Sequence, residues 1–142
     1  MATRFAGGCM CGAVRYECDA DPIAMGNCHC RDCQRATGRA FAAAVLVPVS
    51  AVSTTGLVKY YEVVGDSGGI VRRGFCPSCG ARLFGEGAAT PNLIGIMAGS
   101  LDDPSWFRPQ ADVYVASAQP WDYMNPSLPK FPGLPQNVSQ SS

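Results

Sequence analysis

Residues 28–38 read Cys28-His29-Cys30-Arg31-Asp32-Cys33-Gln34-Arg35-Ala36-Thr37-Gly38. Three cysteines fall within six positions, spaced C-x-C-x-x-C. Two other groups answer them. Cys9 and Cys11 form a C-x-C pair, and Cys76 and Cys79 sit in Cys76-Pro77-Ser78-Cys79-Gly80. Of the 8 cysteines only Cys18 stands apart. Two thiolates on one zinc, each about 2.3 Å from the metal, lie roughly 3.8 Å apart. Spacings of two and three residues reach that convergence without strain, and they are poor for disulfides between neighbours. The reading is therefore metal, with disulfides and unligated structural cysteines as the alternatives. Thiolate-rich tetrahedral sites take zinc or iron–sulfur. Zinc comes first, because iron–sulfur clusters use wider cysteine runs than C-x-C.

The two pairs together close one shell: Cys9, Cys11, Cys76 and Cys79. Four thiolates leave no vacancy, so this site is expected to be structural, tying the N-terminal strand to a segment 65 residues on. Cys28, Cys30 and Cys33 supply three thiolates and leave one position open, the pattern of a catalytic zinc. Alternatively Cys18, His29 or a second chain closes this shell as well. His29 lies between two ligands, and period two turns it away from the metal, behind the ligands or at the surface.

Outward from the cysteines, the chain reads as short strands. Val14, Tyr16 and Cys18 alternate with Arg15 and Glu17, a half-buried strand in which Cys18 is a small core residue. Residues 31–37 form a short helix ended by Gly38. Arg31, Arg35 and Arg39 recur every four residues, either as an ordinary solvated face or as a clamp for a substrate carboxylate. Ala40 to Val47, Gly56 to Val64, Ile70 to Phe75, Arg82 to Phe84, Asn92 to Ala98 and Asp112 to Val115 are strand candidates, with a hairpin turn at 65–69. After Ala118, five prolines preclude regular structure, and residues 136–142 are expected to be disordered. The division is a zinc-binding domain over 1–125 and a Pro-rich tail over 126–142.

Composition narrows the function. The chain has 142 residues, 11 cations, 11 anions and 47% hydrophobic residues. The hydrophobic share argues against disorder. Sixteen glycines and 11 prolines argue against a helical bundle. Zero net charge disfavours nucleic acid as a partner. No apolar run reaches the roughly 18 residues of a membrane helix, and the N-terminus has no signal-peptide core. The expected location is the cytoplasm, where thiols stay reduced. Neutrality hides a local bias: residues 28–82 hold seven cations (Arg31, Arg35, Arg39, Lys59, Arg72, Arg73 and Arg82) against three anions (Asp32, Glu62 and Asp66), which leaves room for a small anionic thiol near the open zinc.

The motifs Gly8-Cys9-Met10-Cys11-Gly12, Cys28-His29-Cys30-Arg31-Asp32-Cys33 and Phe75-Cys76-Pro77-Ser78-Cys79-Gly80 resemble the glutathione-dependent formaldehyde-activating enzyme family, which includes the centromere-protein-V-like proteins. Gly99-Ser100-Leu101-Asp102-Asp103-Pro104 and Trp121 also look like its C-terminal half, so the likeness covers residues 5–125. The resemblance implies a mainly β, Mss4-like fold, with short antiparallel sheets around a structural zinc and one short helix after the second cysteine cluster. It implies the same division of seven cysteines between two zincs. It also implies a carbon–sulfur lyase type of activity that interconverts glutathione plus formaldehyde with S-hydroxymethylglutathione. Relatives often carry His in the last strand, where this chain has Tyr114.

An open thiolate zinc is expected to position a thiol rather than polarise a carbonyl, since three cysteinates already leave a charge of −1. Arg35 and Arg39 are the residues expected to hold a glutathione carboxylate, with Asp32 or His29 relaying a proton. The rival readings are a zinc-stabilised binding module without chemistry, and the same chemistry on another small thiol or aldehyde. Chromatin is disfavoured by the tail, which from residue 100 has Arg108 and Lys130 against Asp102, Asp103, Asp112 and Asp122. Small thiols are the expected partners, and a homodimer is left open.

Overall fold

The structure is a computed structural model and describes residues 4–135. The expected disorder of residues 136–142 lies outside the described residues. The protein is mainly β, with one α-helix among the described residues. Strands β1 (Phe5–Gly8), β2 (Arg15–Cys18) and β5 (Val52–Thr55) make a three-stranded sheet in the order β1-β2-β5. Strands β3 (Ala24–Cys28), β4 (Ala42–Pro48), β6 (Lys59–Val64), β7 (Ile70–Phe75), β8 (Arg82–Gly87), β9 (Leu93–Met97) and β10 (Asp112–Val113) make a seven-stranded sheet. Its order is β10-β3-β4-β9-β8-β7-β6. All its pairings are antiparallel except β10 with β3. The sheet is thus mixed rather than purely antiparallel.

Alternation along the strands decides what lies on each side. On β2, Tyr16 and Cys18 are buried and Arg15 and Glu17 exposed. On β4, Val45 and Val47 point into the core, while Ala42, Ala44 and Leu46 face the other way and line a cavity. Ile94 and Ile96 of β9 join Val14, Tyr16, Leu83 and Phe84 in the core between the sheets. Tyr16 packs edge-on against Phe84 at 5.4 Å and hydrogen-bonds Ser100 at 2.6 Å. Burial pushes the Tyr16 phenol up to about 12. Cys18 is fully buried in this core.

The single helix, α1 (Arg31–Thr37), starts at Cys30, whose sulfur accepts from the Cys33 N–H, and ends at left-handed Gly38 with φ 71°. The expected last strand is shorter than its alternation implied. Asp112 and Val113 pair with β3, but Tyr114 turns left-handed (φ 57°) and stops the ladder. Beyond Ala118 no strand or helix forms among the described residues, yet the chain packs back. Asp112 bridges to Lys130, the Val115 N–H donates to the Phe131 carbonyl, and Leu134 lines the cavity.

Candidate functional site

Two hairpin tips build the first cysteine group. The β1–β2 loop carries Cys9 and Cys11, and the β7–β8 loop carries Cys76 and Cys79. The four sulfurs lie within 4.8 Å of one another. Cys9 and Cys11 Sγ are 3.6 Å apart, and Cys11 and Cys76 Sγ 3.8 Å. Those are the separations of thiolates sharing one tetrahedral metal. Each loop closes on a left-handed glycine, Gly12 at φ 82° and Gly80 at φ 78°, a conformation a side chain would strain. Backbone N–H groups aim at the sulfurs. The Val14 N–H reaches Cys9 Sγ at 3.2 Å. The N–H groups of Ala81 and then Cys11 pull the Cys79 thiol down to about 6. The C-x-C pair sits in a turn rather than in an extended segment, so the loop and not the pleat makes its sulfurs converge.

The second group forms where a strand becomes a helix. Cys28 ends β3, Cys30 caps α1, and Cys33 lies in its first turn. Their sulfurs also lie within 4.8 Å of one another, and no fourth Cys, His, Asp or Glu ligand joins them among the described residues. Crowding makes the thiols unequal. Hydrogen bonds from Cys28 and then Cys33 hold Cys30 far below the ordinary thiol range. Cys28 is pushed up by Cys30, then Cys33, and by burial. The trio fits a thiophilic divalent ion with one position left for another ligand.

Neither residue considered as a fourth ligand is free to serve. Cys18 is in the core, with its thiol on the Ala20 carbonyl at 3.5 Å. His29 does turn away from the trio, but into the interior rather than to the surface. It is fully buried, with Nδ1 2.5 Å from Asp122 and Nε2 2.8 Å from Asp112. Asp112 also takes Lys130 Nζ at 2.8 Å and the Asn27 amide at 3.2 Å. The network fastens the C-terminal segment across the back of the site. Gln34, buried on α1, adds bonds to the His29 and Ser117 carbonyls at 2.8 and 3.0 Å.

The trio lines a cavity of about 600 Å³. The sequence leaves this space open: the sheet face beneath it carries Gly26, Ala42, Ala44, Gly85 and Gly95. Its walls include Arg73, Arg82 and Tyr114. Tyr114 holds a left-handed backbone, costly for a bulky residue and frequent at functional sites. Burial raises its phenol, helped by Asp66 and the trio.

Of the three arginines singled out from the sequence, Arg31 lines this cavity, its guanidinium donating to the Gln34 side-chain oxygen, and the other two are placed elsewhere. Arg35 is exposed on α1, and neither it nor Arg39 lines this cavity. Arg39 lies beyond the helix, over the Phe41 ring at 4.5 Å. A four-residue period aligns side chains only while the helix lasts, and α1 has ended before Arg39. Instead Arg73, from β7, stands 3.8 Å from Cys33 Sγ. Its strand position was legible, but its approach to the trio depends on pairing between distant strands.

A family model described as glutathione-dependent formaldehyde-activating enzyme matches residues 4–117. A crystal structure of a Rhodobacter sphaeroides protein aligns with a TM-score of 0.58 at 19% identity, covering 89% of this chain and 98% of that one. At that identity the likeness shows the fold alone. No curated protein matches the chain.

Proposed function

The chain belongs to the glutathione-dependent formaldehyde-activating enzyme family, and from that premise we propose that it is a zinc-dependent carbon–sulfur lyase-type enzyme. Its reaction is glutathione plus formaldehyde to or from S-hydroxymethylglutathione. In one direction the thiol sulfur bonds the aldehyde carbon, the C=O double bond opens, and the thiol proton ends on that oxygen. The reverse breaks the same carbon–sulfur bond, and no oxidant or reductant is needed. The observation that carries the reading is three converging thiols with no fourth ligand among the described residues, set in the wall of a cavity large enough for a tripeptide.

Cys9, Cys11, Cys76 and Cys79 would hold a structural zinc, and Cys28, Cys30 and Cys33 a second one. Zinc bound to the trio supplies affinity for a deprotonated sulfur, so a thiol substrate is kept as its thiolate. The rest falls to the chain. The cavity gathers thiol and aldehyde in one small volume, which supplies proximity. The Tyr114 hydroxyl, kept protonated by burial, is a donor on the wall toward the aldehyde oxygen. Cytoplasmic conditions suit seven reduced ligand thiols. No helix among the described residues is long and apolar enough to cross a membrane.

Exchange spectroscopy by NMR, between hydrated formaldehyde and S-hydroxymethylglutathione, tests the reading above the spontaneous background. The wild-type protein is expected to accelerate exchange and Cys33→Ser to leave it at the background rate. Equal acceleration by a Cys33→Ser protein shown to lack the trio's metal would remove the mechanism. Acceleration seen only with another small thiol would keep the chemistry and change the substrate.

A further inference from the structure

Arg72 and Arg73 are neighbours on β7, so the pleat sends them to opposite faces. Arg72 finds carboxylates on both flanking strands: Glu62 at 3.1 Å and Glu86 at 3.7 Å. Arg73 stands opposite Tyr61 and Gly85, which offer no charge. Among the described residues its side chain's one polar contact is the 3.8 Å approach to Cys33 Sγ.

A β-bulge then brings a second cation to the same side. The register of β7 on β8 shifts at Gly74/Phe75, so that Gly74 faces Phe84 but Phe75 faces Arg82. Phe75 and Arg73 share a face, and Arg82 therefore joins them. In an unbroken ladder Leu83 would hold that place. Bulges re-aim side chains in this way beside binding sites. Arg82 donates to the Phe84 carbonyl at 3.1 Å, while its Nε and Nη1 are buried without a partner. Burial, and then Arg73, push its pKa down. The carboxylates on the cavity wall do not relieve the pair: Asp32 and Asp66 are exposed, and Glu86 faces Arg72. Three cysteinates around a divalent ion leave one negative charge. Two arginines exceed it by one.

We propose that Arg73, backed by Arg82, is an anion subsite that takes a carboxylate of the thiol substrate, so that the cavity selects carboxylate-bearing thiols over neutral ones. The proposal rests on the reading of the trio as the thiol site. Arginine suits the task because its planar fork matches a carboxylate and it stays charged. The subsite lies beside Cys33, within the reach of one short peptide.

Calorimetric titration of the zinc-loaded protein with S-methylglutathione, and with its dimethyl ester, tests the subsite without any turnover. Wild type is expected to bind the free acid roughly 10- to 100-fold more tightly than the ester, the worth of a charge-assisted hydrogen bond. Arg73→Gln and Arg82→Gln should each shrink that preference, Arg73→Lys should restore part of it, and Arg72→Gln should keep it. Equal binding of acid and ester by wild type, binding of neither, or a preference that survives both glutamine variants would overturn the subsite. Thermal melts of each variant exclude unfolding as the cause. Turnover separates the two readings. A preference for the acid without formaldehyde exchange keeps the subsite and removes the reaction. Exchange with an unchanged KM for glutathione in Arg73→Gln does the opposite.

Discussion

On the proposed function, the two cysteine groups put the same ligand atom to opposite ends. The tetrad draws its sulfurs from two hairpin tips in different sheets, Cys11 and Cys76 being 65 residues apart, and none of its cysteines lines the large cavity. The trio draws its sulfurs from six consecutive positions, and all three line that cavity. A metal in the tetrad closes a long loop and holds two sheets together. A metal in the trio closes almost nothing, because β3 and α1 already place its ligands. What steadies the trio is protein: the Cys30 cap, Gln34, and His29 between Asp112 and Asp122. A shell that does no folding work can leave one position for chemistry.

The sharpest break in that comparison is Cys76→Ser. Zinc binding in structural sites is worth about 10–16 kcal/mol of apparent free energy, which is folding free energy. The variant is expected to lose its cooperative thermal transition. Survival of a native-like melt would show that the sheets hold without the tetrad. His29→Ala is next. It leaves Asp122 buried without its partner, and breaking such a pair costs about 3–5 kcal/mol. Chemical denaturation should show that loss even with both metals bound. A loss below about 1 kcal/mol, the worth of an exposed pair, would mean the trio is steadied by its metal after all.

Cys33→Ser should do the reverse of Cys76→Ser. One of two metals is lost and exchange falls about 100-fold or more, a difference of roughly 2.7 kcal/mol at the transition state. The melting temperature should move by only a few degrees. The smallest effect expected is at Tyr114, where glycine relieves a left-handed backbone costing about 1–2 kcal/mol. Tyr114→Gly should melt slightly higher than wild type while slowing turnover. If it melts lower, the ring's packing outweighs its backbone strain.

Much of this comparison could be read from the sequence, for a physical reason. Ligand spacing is a local property, so C-x-C and C-x-x-C announce themselves, as do the 31–37 helix and its Gly38 stop. Alternation over Val14, Tyr16 and Cys18 placed Cys18 in the core for the same reason. Strands β1, β3 and β5 are short and carry little alternation: Phe-Ala-Gly-Gly, Ala-Met-Gly-Asn-Cys and Val-Ser-Thr-Thr. Only pairing reveals them. The substrate side was least legible. Arg35 and Arg39 looked like a clamp because helical period is visible in a sequence. Arg73 and Arg82 act together through strand register and one bulge, which no local pattern encodes. His29 was expected to turn from the metal, but its carboxylate partners lie 83 and 93 residues away.

The central claim is that one shell is closed and the other open to a thiol. Cobalt(II) substitution tests it most directly, because the visible ligand-field bands report each ion's coordination. The protein should take up two cobalt ions. Added glutathione should shift the bands of wild type, and should leave unchanged those of Cys33→Ser, which keeps only the tetrad. No shift in wild type, or the same shift in Cys33→Ser, would contradict the account.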